Sequence, residues 1–323
     1  MRKGVNPEKC KNELNQRFSH RIVAPVYIPN TSEEYYKNAL EVLNAFLNSL
    51  TNSIDPKYTA ITIINNNSID EVDELIKKYN SSIDKVVNYK ENKGKVYPVL
   101  SEVRSAYETF VTITDSDVFF FKGWEKEVFK IFNAFPKCGV VAPLPSQGSA
   151  LYHNCSLFFD NFFKNIIKYD KVVSDSDCKL FTKGLGNEAL LRRNNRKYDW
   201  SEKQYFIEKP VKVVVGAGHF VATYRTELFR GETDFPIVKF RNGYESEFID
   251  WLSDKKGFYR LSTVETYAYH LGNKLDSHIE LPITNDSGGY DFSIQQKIPR
   301  NLFIFPYTLK KIIFKFLYKY KKL

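Results

Sequence analysis

The chain has 323 residues, 43% of them hydrophobic and 15% aromatic, enough apolar material for a large core, which excludes a wholly disordered protein. Its net charge is +9, but eight cations (Lys297, Arg300, Lys310, Lys311, Lys315, Lys319, Lys321, Lys322) lie between Phe292 and Leu323 with no acid among them. The body is therefore near neutral, and a nucleic-acid partner, which asks for cations spread over the folded surface, is not expected.

Taken in chain order, the β-branched run at 21–26 predicts a first strand. Residues 32–50 carry Leu40, Leu43, Phe46, Leu47 and Leu50 on one stripe, with Glu33 and Glu34 near the start, and predict a helix. A second strand over 58–64 closes in the turn-prone Asn65-Asn66-Asn67-Ser68. A helix over 69–79, a third strand over 85–88 and a helix over 96–108 follow. The fourth strand, 110–114, ends in Asp115-Ser116-Asp117. A helix over 124–135 and a strand over 139–142 complete the rhythm. Beyond Pro145 the pattern loosens, with a strand at 212–216, a helix at 245–254 and a strand-like run at 262–269 still legible. Such alternation predicts an α/β fold, a mostly parallel Rossmann-like sheet flanked by helices. Sheets of this kind bind ligands at the carboxyl ends of their strands, so chemistry is expected in the turns after strands one, two and four.

The four cysteines (Cys10, Cys138, Cys155, Cys178) show no C-x-x-C spacing, so neither a zinc site nor a disulfide framework is expected, and a reducing compartment is. Residues 1–17 lack the apolar stretch of a signal peptide, and no apolar run reaches the ~20 residues of a spanning helix. A soluble or peripheral protein is the expectation.

Two carboxylates one residue apart at a strand end, as in Asp115 and Asp117, suit a hard divalent cation that bridges a pyrophosphate. A second copy, Asp175-Ser176-Asp177, is also present, but the first ends a fourth strand at the sheet edge where ligands bind, and position favours it. The amides of Asn65 and Asn66, with Asp70 behind them, suit the edge of a base, although Ser68 fits equally as a helix cap. Asn92-Lys93-Gly94-Lys95 precedes a helix and offers a backbone amide and a lysine to phosphates, or is an ordinary loop. Arg104 on that helix is open in the same way. Gly216-Ala217-Gly218-His219 allows close approach of a ligand, or is a plain turn. Glu245 and Glu247 stand at a helix start, as a general base toward an acceptor hydroxyl or as dipole-matching acids. His270 is open between a third metal ligand and a hydrogen-bonded polar residue.

In this order the motifs resemble glycosyltransferase family 2 with its GT-A fold. The likeness runs from about Arg21 to Asn273: Pro25-Val26-Tyr27, a polar turn after strand two, Asn-x-Gly before a helix, Asp-x-Asp, a Gly-rich strand end, an acidic pair and a late histidine. The resemblance implies a GT-A unit over 18–275, with a donor half at 18–145 and an acceptor half at 146–275. It implies that Pro25, Tyr27, Asn65, Asn66 and Asp70 surround the nucleoside, and that Lys95, Arg104, Asp115 and Ser116 belong to the donor site. Asp115, Asp117 and His270 would hold Mn2+ or Mg2+, and Gly218 and His219 would meet the acceptor. Glu247 or Glu245 would be the base of an inverting displacement from a nucleotide sugar, a UDP-sugar, to a glycan or lipid-linked hydroxyl. Family members commonly carry aspartates where this chain has Asn65 and Asn66, and a Glu-Asp pair where it has Glu-Ser-Glu.

Residues 276–305, rich in turn formers, read as a linker to a basic helix over 306–323. There Leu309, Ile312, Ile313, Phe316, Leu317 and Tyr320 form one stripe amid six lysines, with Phe314 and Tyr318 widening it. Such a helix suits an anionic membrane surface on the cytoplasmic side, or docks on the domain with its lysines solvated. Two other functions fit less well. Nucleotidyl transfer to a sugar phosphate asks for a Gly-rich basic loop after strand one, where this chain has Ala24-Pro25-Val26-Tyr27. A non-catalytic carbohydrate or nucleotide binder would keep the fold without a base.

Overall fold

The computed structural model describes residues 3–10, 18–194, 196–275 and 305–319. The first half contains β1 (His20–Val26), α1 (Ala39–Thr51), β2 (Thr59–Asn65), α2 (Asp70–Lys78), β3 (Lys85–Asn88), α3 (Val96–Ser105), β4 (Phe110–Thr114), β5 (Val118–Phe120), α4 (Trp124–Ala134) and β6 (Cys138–Ala142). Then come α5 (Cys155–Asn161), β7 (Ile167–Asp170), α6 (Asp175–Gly184), β8 (Gln204–Ile207), β9 (Val213–Val215) and β10 (Val221–Arg225). The last elements are α7 (Trp251–Lys255), β11 (Tyr259–Ser262), β12 (Ala268–His270) and α8 (Tyr307–Lys319).

Ten strands form one sheet in the order β3-β2-β1-β4-β10-β6-β11-β9-β8-β7. Strands β1 to β4 are mutually parallel, and β11 is parallel to β6. Strand β10 runs antiparallel between β4 and β6, and β9, β8 and β7 continue as antiparallel neighbours. Helices cover both faces of the central strands, so β2 and β4 are buried at every position, their few polar residues being threonines and Asn65. Helix α1 closes one face with Val42, Leu43, Phe46, Leu47 and Leu50. Helix α2 buries Val72, Leu75 and Ile76, with acids in its first turn and Lys77 and Lys78 in its last, matching its dipole.

Several expected elements differ in extent. The helix expected from residue 32 begins only at Ala39, because the Asn30 side chain accepts the amides of Ser32 and Glu33 and folds the entry into a turn. The strand-like run at 262–269 is mostly a turn between the end of β11 at Ser262 and the start of β12 at Ala268, where the Thr263 hydroxyl donates to the Glu265 carbonyl. The helix expected over 245–254 opens with a π-helical turn, Ser246–Asp250, before α7.

The short strands β5 and β12 pair in a separate antiparallel ribbon, with His270 opposite Val118. At the far end of the chain α8 packs on α5. Phe314 lies 5.6 Å from Phe158, ring to ring, and Lys310 Nζ lies 3.0 Å from Asp160 Oδ1. The helix expected at the C-terminus is therefore docked by one face. Lys310, counted among the solvated lysines, is buried, and so is Leu317, while Leu309, Ile312 and Phe316 remain exposed. The linker residues 276–304 and the tail residues 320–323 lie outside the described residues. Among the described residues no helix is long and apolar enough to cross a membrane.

Candidate active site and metal centre

A cleft of about 570 Å³ opens at the carboxyl ends of β1, β2 and β4. Pro25 and Tyr27 leave β1 along one wall, Asn66 follows β2, and Asp115, Ser116 and Asp117 follow β4. Gly94 and Lys95 enter from the loop before α3. Tyr35 and Tyr36, in the turn that delays α1, line the mouth together with Tyr27, and the Tyr36 ring meets those of Tyr27 and Tyr35 edge-on at 6.5 and 4.9 Å. Aromatic faces at a cleft mouth suit a planar base or a sugar face.

The paired aspartates gain a third partner from the far end of the fold. The register of the β5–β12 ribbon sets His270 beside the residue that follows Asp117, and the Leu271 amide donates to the Asp117 carbonyl at 2.7 Å. Ligand atoms of Asp115, Asp117 and His270 consequently lie within 4.8 Å of one another. Two observations test whether these residues fit a cation. Asp117 Oδ1 is buried without a hydrogen-bond partner, which is costly unless something positive meets it. His270 Nδ1 lies 3.1 Å from the Gly184 carbonyl, which can only accept, so Nδ1 carries the proton and Nε2 offers its lone pair 3.4 Å from Asp117 Oδ2. In the neutral ring that arrangement, oriented by an outer hydrogen bond, fits a cation ligand; in the protonated ring it is an ion pair with Asp117. Burial raises the Asp117 carboxyl above its usual value; His270 works against that rise, and the neighbouring Asp115 adds to it.

Lys95 supplies positive charge to this cluster. Its Nζ lies 2.5 Å from Asp115 Oδ1 and 3.3 Å from Glu245 Oε1. Burial disfavours its charge, but the two carboxylates more than offset this and raise its pKa above the ordinary lysine value.

Asn66 lines the cleft but spends its amide on protein. Its Nδ2 donates to Asn92 Oδ1 and the Gly94 carbonyl, and its Oδ1 accepts the Lys93 amide. It staples the 92–94 loop to β2. Asn65, expected at the nucleoside, turns inward: its Oδ1 accepts the Ser68 amide and its Nδ2 donates to Asp73. Asp70 is exposed on α2, away from the cleft. Ser68 is not the cap of α2; its hydroxyl accepts the Ile28 amide. Arg104, expected in the donor region, donates to the Asp234 carbonyl at 2.7 Å and lies over the Phe235 ring at 4.4 Å. Neither Arg104 nor Asn65 nor Asp70 lines the cleft.

On the opposite flank, Gly216 has φ of +120°, and a Cβ there would meet the Ser146 carbonyl at 2.5 Å. Gly218 has room beside Ser146 Oγ. His219 follows, half exposed, with Nδ1 3.7 Å from Asp250 Oδ2. Glu247 is exposed and ion-paired with Arg241. The second Asp-x-Asp is a helix start: Ser174 caps α6 by accepting the Asp177 amide, and Asp177 itself accepts the Thr266 amide.

Sequence reasoning missed Tyr35, Tyr36, Lys239, Phe240, Gly272 and Asn273, all of which line the cleft. The tyrosines were hidden by the helix expected there. Lys239 and Phe240 sit in an irregular segment with no periodicity to read.

A mixed sheet whose parallel strands end in a paired-aspartate turn, with a late histidine beside it, is the arrangement that the resemblance to a GT-A fold implies. Residues 35–193, just under half of the chain, match the sequence profile of Glycosyl transferase family 2. Among solved structures it is similar to S. aureus TarS residues 1–349 in complex with UDP-GlcNAc, with 16% identity and a TM-score of 0.44 over 78% of this chain and 58% of that one. It is also similar to the mannosyltransferase PcManGT from Pyrobaculum calidifontis in complex with GDP-Man and Mn2+, with 13% identity and a TM-score of 0.45 over 77% of this chain and 55% of that one. The chain thus spans well under two thirds of either protein. Comparison with curated proteins gave no match.

Proposed function

We propose that the chain transfers a sugar from a UDP-sugar to a hydroxyl of a glycan or lipid-linked saccharide, with inversion, using Mn2+ or Mg2+ held by Asp115, Asp117 and His270. The observation that carries this reading is the convergence of those three side chains, with the unpartnered Asp117 Oδ1, where Asp115 and Asp117 line the cleft. When bound, the cation supplies positive charge against the pyrophosphate of the departing nucleoside diphosphate. Tyr27, Tyr35 and Tyr36 offer stacking surface to the base, and Lys95 and Lys239 bring ammonium groups to the phosphates. Inversion is carried over from the family resemblance. Of the two glutamates expected as base, Glu245 stands at the aspartate cluster through Lys95, whereas Glu247 lies outward on Arg241.

Calorimetric titration of UDP, with and without Mn2+, tests the donor and metal assignments together. Wild type is expected to bind UDP in a Mn2+-dependent manner and Asp117→Ala to lose that binding. Failure of wild type to bind UDP under both conditions sinks the uridine assignment, and GDP, dTDP and CMP are then the nucleotides to titrate.

Membrane attachment is the second part of the proposal. Leu309, Ile312 and Phe316 are exposed on α8, with Lys311 and Lys315 also on its undocked side, a composition suited to the plane of an anionic bilayer. That composition supports a place on the inner face of the cytoplasmic membrane, beside lipid-linked acceptors. Sedimentation with phosphatidylglycerol vesicles is expected for wild type and lost in the Leu309→Glu, Ile312→Glu double variant. Equal sedimentation of the two proteins refutes the attachment.

A further inference from the structure

Transfer to a hydroxyl requires a group that takes its proton, and both glutamates expected there are already held by cations. Glu245 is engaged by Lys95, and Glu247 by Arg241. Five residues beyond Glu245, the Asp250 side chain is fully buried on the π-helical turn. Its Oδ1 accepts from Arg260 Nη2 at 3.1 Å and from the Tyr224 hydroxyl at 3.3 Å, and its Oδ2 accepts from the Tyr152 hydroxyl at 3.1 Å. Three donors from three separate elements fix this carboxylate. What remains of Oδ2 faces His219 Nδ1 at 3.7 Å, and the His219 side chain is 53% exposed.

The position of that imidazole follows from the sheet. Strand β10 pairs antiparallel with β4, Val221 opposite Thr114, and the Phe220 carbonyl accepts the Asp115 amide at 2.8 Å. His219 therefore sits across from Ser116, the middle residue of the aspartate turn. Successive side chains along an extended segment point to opposite faces. Phe220 accordingly packs on His270, ring centroids 5.3 Å apart, while His219 turns the other way, to Asp250.

We propose that His219 is the general base of the transfer and Asp250 its positioning residue, an inference that rests on the sugar-transfer reading above. As the acceptor oxygen bonds to the anomeric carbon, its proton moves to His219 Nε2. The bond from that carbon to the phosphate oxygen breaks, and its electron pair leaves with the nucleoside diphosphate. Asp250, whose Oδ2 lies 3.7 Å from Nδ1 and so beyond direct hydrogen-bond reach, holds negative charge beside the ring, favours the proton on Nδ1, and stabilises the imidazolium that forms. The groups around the pair are Arg260 on β11, Tyr224 on β10, and Tyr152 with His153 on the loop before α5, where His153 Nε2 lies 2.9 Å from Ser246 Oγ.

Two measurements on the full chain decide the matter. Long-range 1H–15N NMR, with the His219 signals assigned by their loss in His219→Gln, reads the tautomer. Nδ1–H is expected, and an Nε2–H imidazole overturns the proposal. Nucleotide release from UDP-glucose, UDP-galactose and UDP-N-acetylglucosamine with Mn2+ then reads catalysis, with UDP titration on the same samples. His219→Gln is expected to keep UDP affinity, lose release by about 10²–10⁴-fold, and lose the acid limb of the pH–rate profile. Unchanged release in a UDP-binding His219→Gln protein overturns the base assignment. Absence of UDP binding in wild type overturns the sugar-transfer reading instead, while the tautomer still decides whether the pair is built as described.

Discussion

Gly94→Ala is the substitution with the clearest structural consequence. Gly94 has φ of +78°, and a Cβ placed there would lie 2.0 Å from the Lys239 carbonyl oxygen and 2.8 Å from its carbon. The left-handed backbone alone costs an alanine roughly 1 kcal/mol relative to glycine. Relief of the clash needs a shift of about 1 Å between two segments that both line the cleft, since van der Waals contact begins near 3.0–3.4 Å. Such a shift also strains the Asn66 staple, whose Nδ2 reaches the Gly94 carbonyl at 2.9 Å, and a neutral hydrogen bond is worth about 1 kcal/mol. The sum, about 2 kcal/mol, corresponds to roughly 30-fold weaker binding if it falls wholly on the liganded state. Calorimetric titration of UDP with Mn2+ gives the affinity, and urea unfolding gives the share that falls on the fold. A Gly94→Ala protein with wild-type UDP affinity and wild-type stability refutes the reasoning, because it means that Lys239 does not hold the position on which the clash depends.

Asp117→Asn is expected to weaken Mn2+-dependent UDP binding by more than about 100-fold, since even outer partners of metal ligands are worth 10- to 100-fold. The same change is expected to raise the melting temperature of the metal-free protein at neutral pH. A carboxyl whose folded pKa is raised by burial binds its proton more tightly when folded, so its ionisation costs stability as pH rises through the shifted range. By the same sign, Mn2+ affinity falls as pH is lowered, and begins to fall at a higher pH than an ordinary aspartate would dictate; a flat affinity between pH 7 and pH 4 contradicts this. Ser174→Ala is expected to cost about 1 kcal/mol in urea unfolding through loss of the α6 cap, with Mn2+-dependent UDP binding unchanged. A drop in metal affinity there would mean that the second Asp-x-Asp does more than start a helix. Phe314→Ala is expected to lower stability by about 1–2 kcal/mol as its contact with Phe158 is lost; no change in thermal unfolding would show that α8 contributes nothing to the fold.

The first half was legible in the sequence because its strands are short β-branched runs bounded by turn residues and helix α1 shows a clean 3.6-residue stripe. Strands β3 and β4 fall at the residues expected, and Asp115 and Asp117 stand at the end of β4 as their position implied. The second half was harder to read. Strand β10 follows the Gly216–His219 turn almost at once, and β5 and β12 span three residues each, too short for any period to register. Asn65 and Arg104 show a different limit. Residue type placed them near a ligand, but whether an amide or guanidinium faces a cleft or a neighbouring backbone depends on partners such as Asp73 and Asp234, distant or unremarkable in sequence. Asp250 was invisible for the same reason: nothing local announces that Arg260, Tyr224 and Tyr152 converge on it.

The ribbon of β5 and β12 has a consequence for how the enzyme comes into being. Asp117 and His270 are 153 positions apart, and the pairing of β12 with β5 brings them together. A nascent chain that has already folded β1 to β4 holds two of the three candidate ligands and none of the second strand that aligns them. A chain that lacks residues 268–270 therefore cannot bring the third candidate ligand to Asp115 and Asp117, however well its first four strands fold.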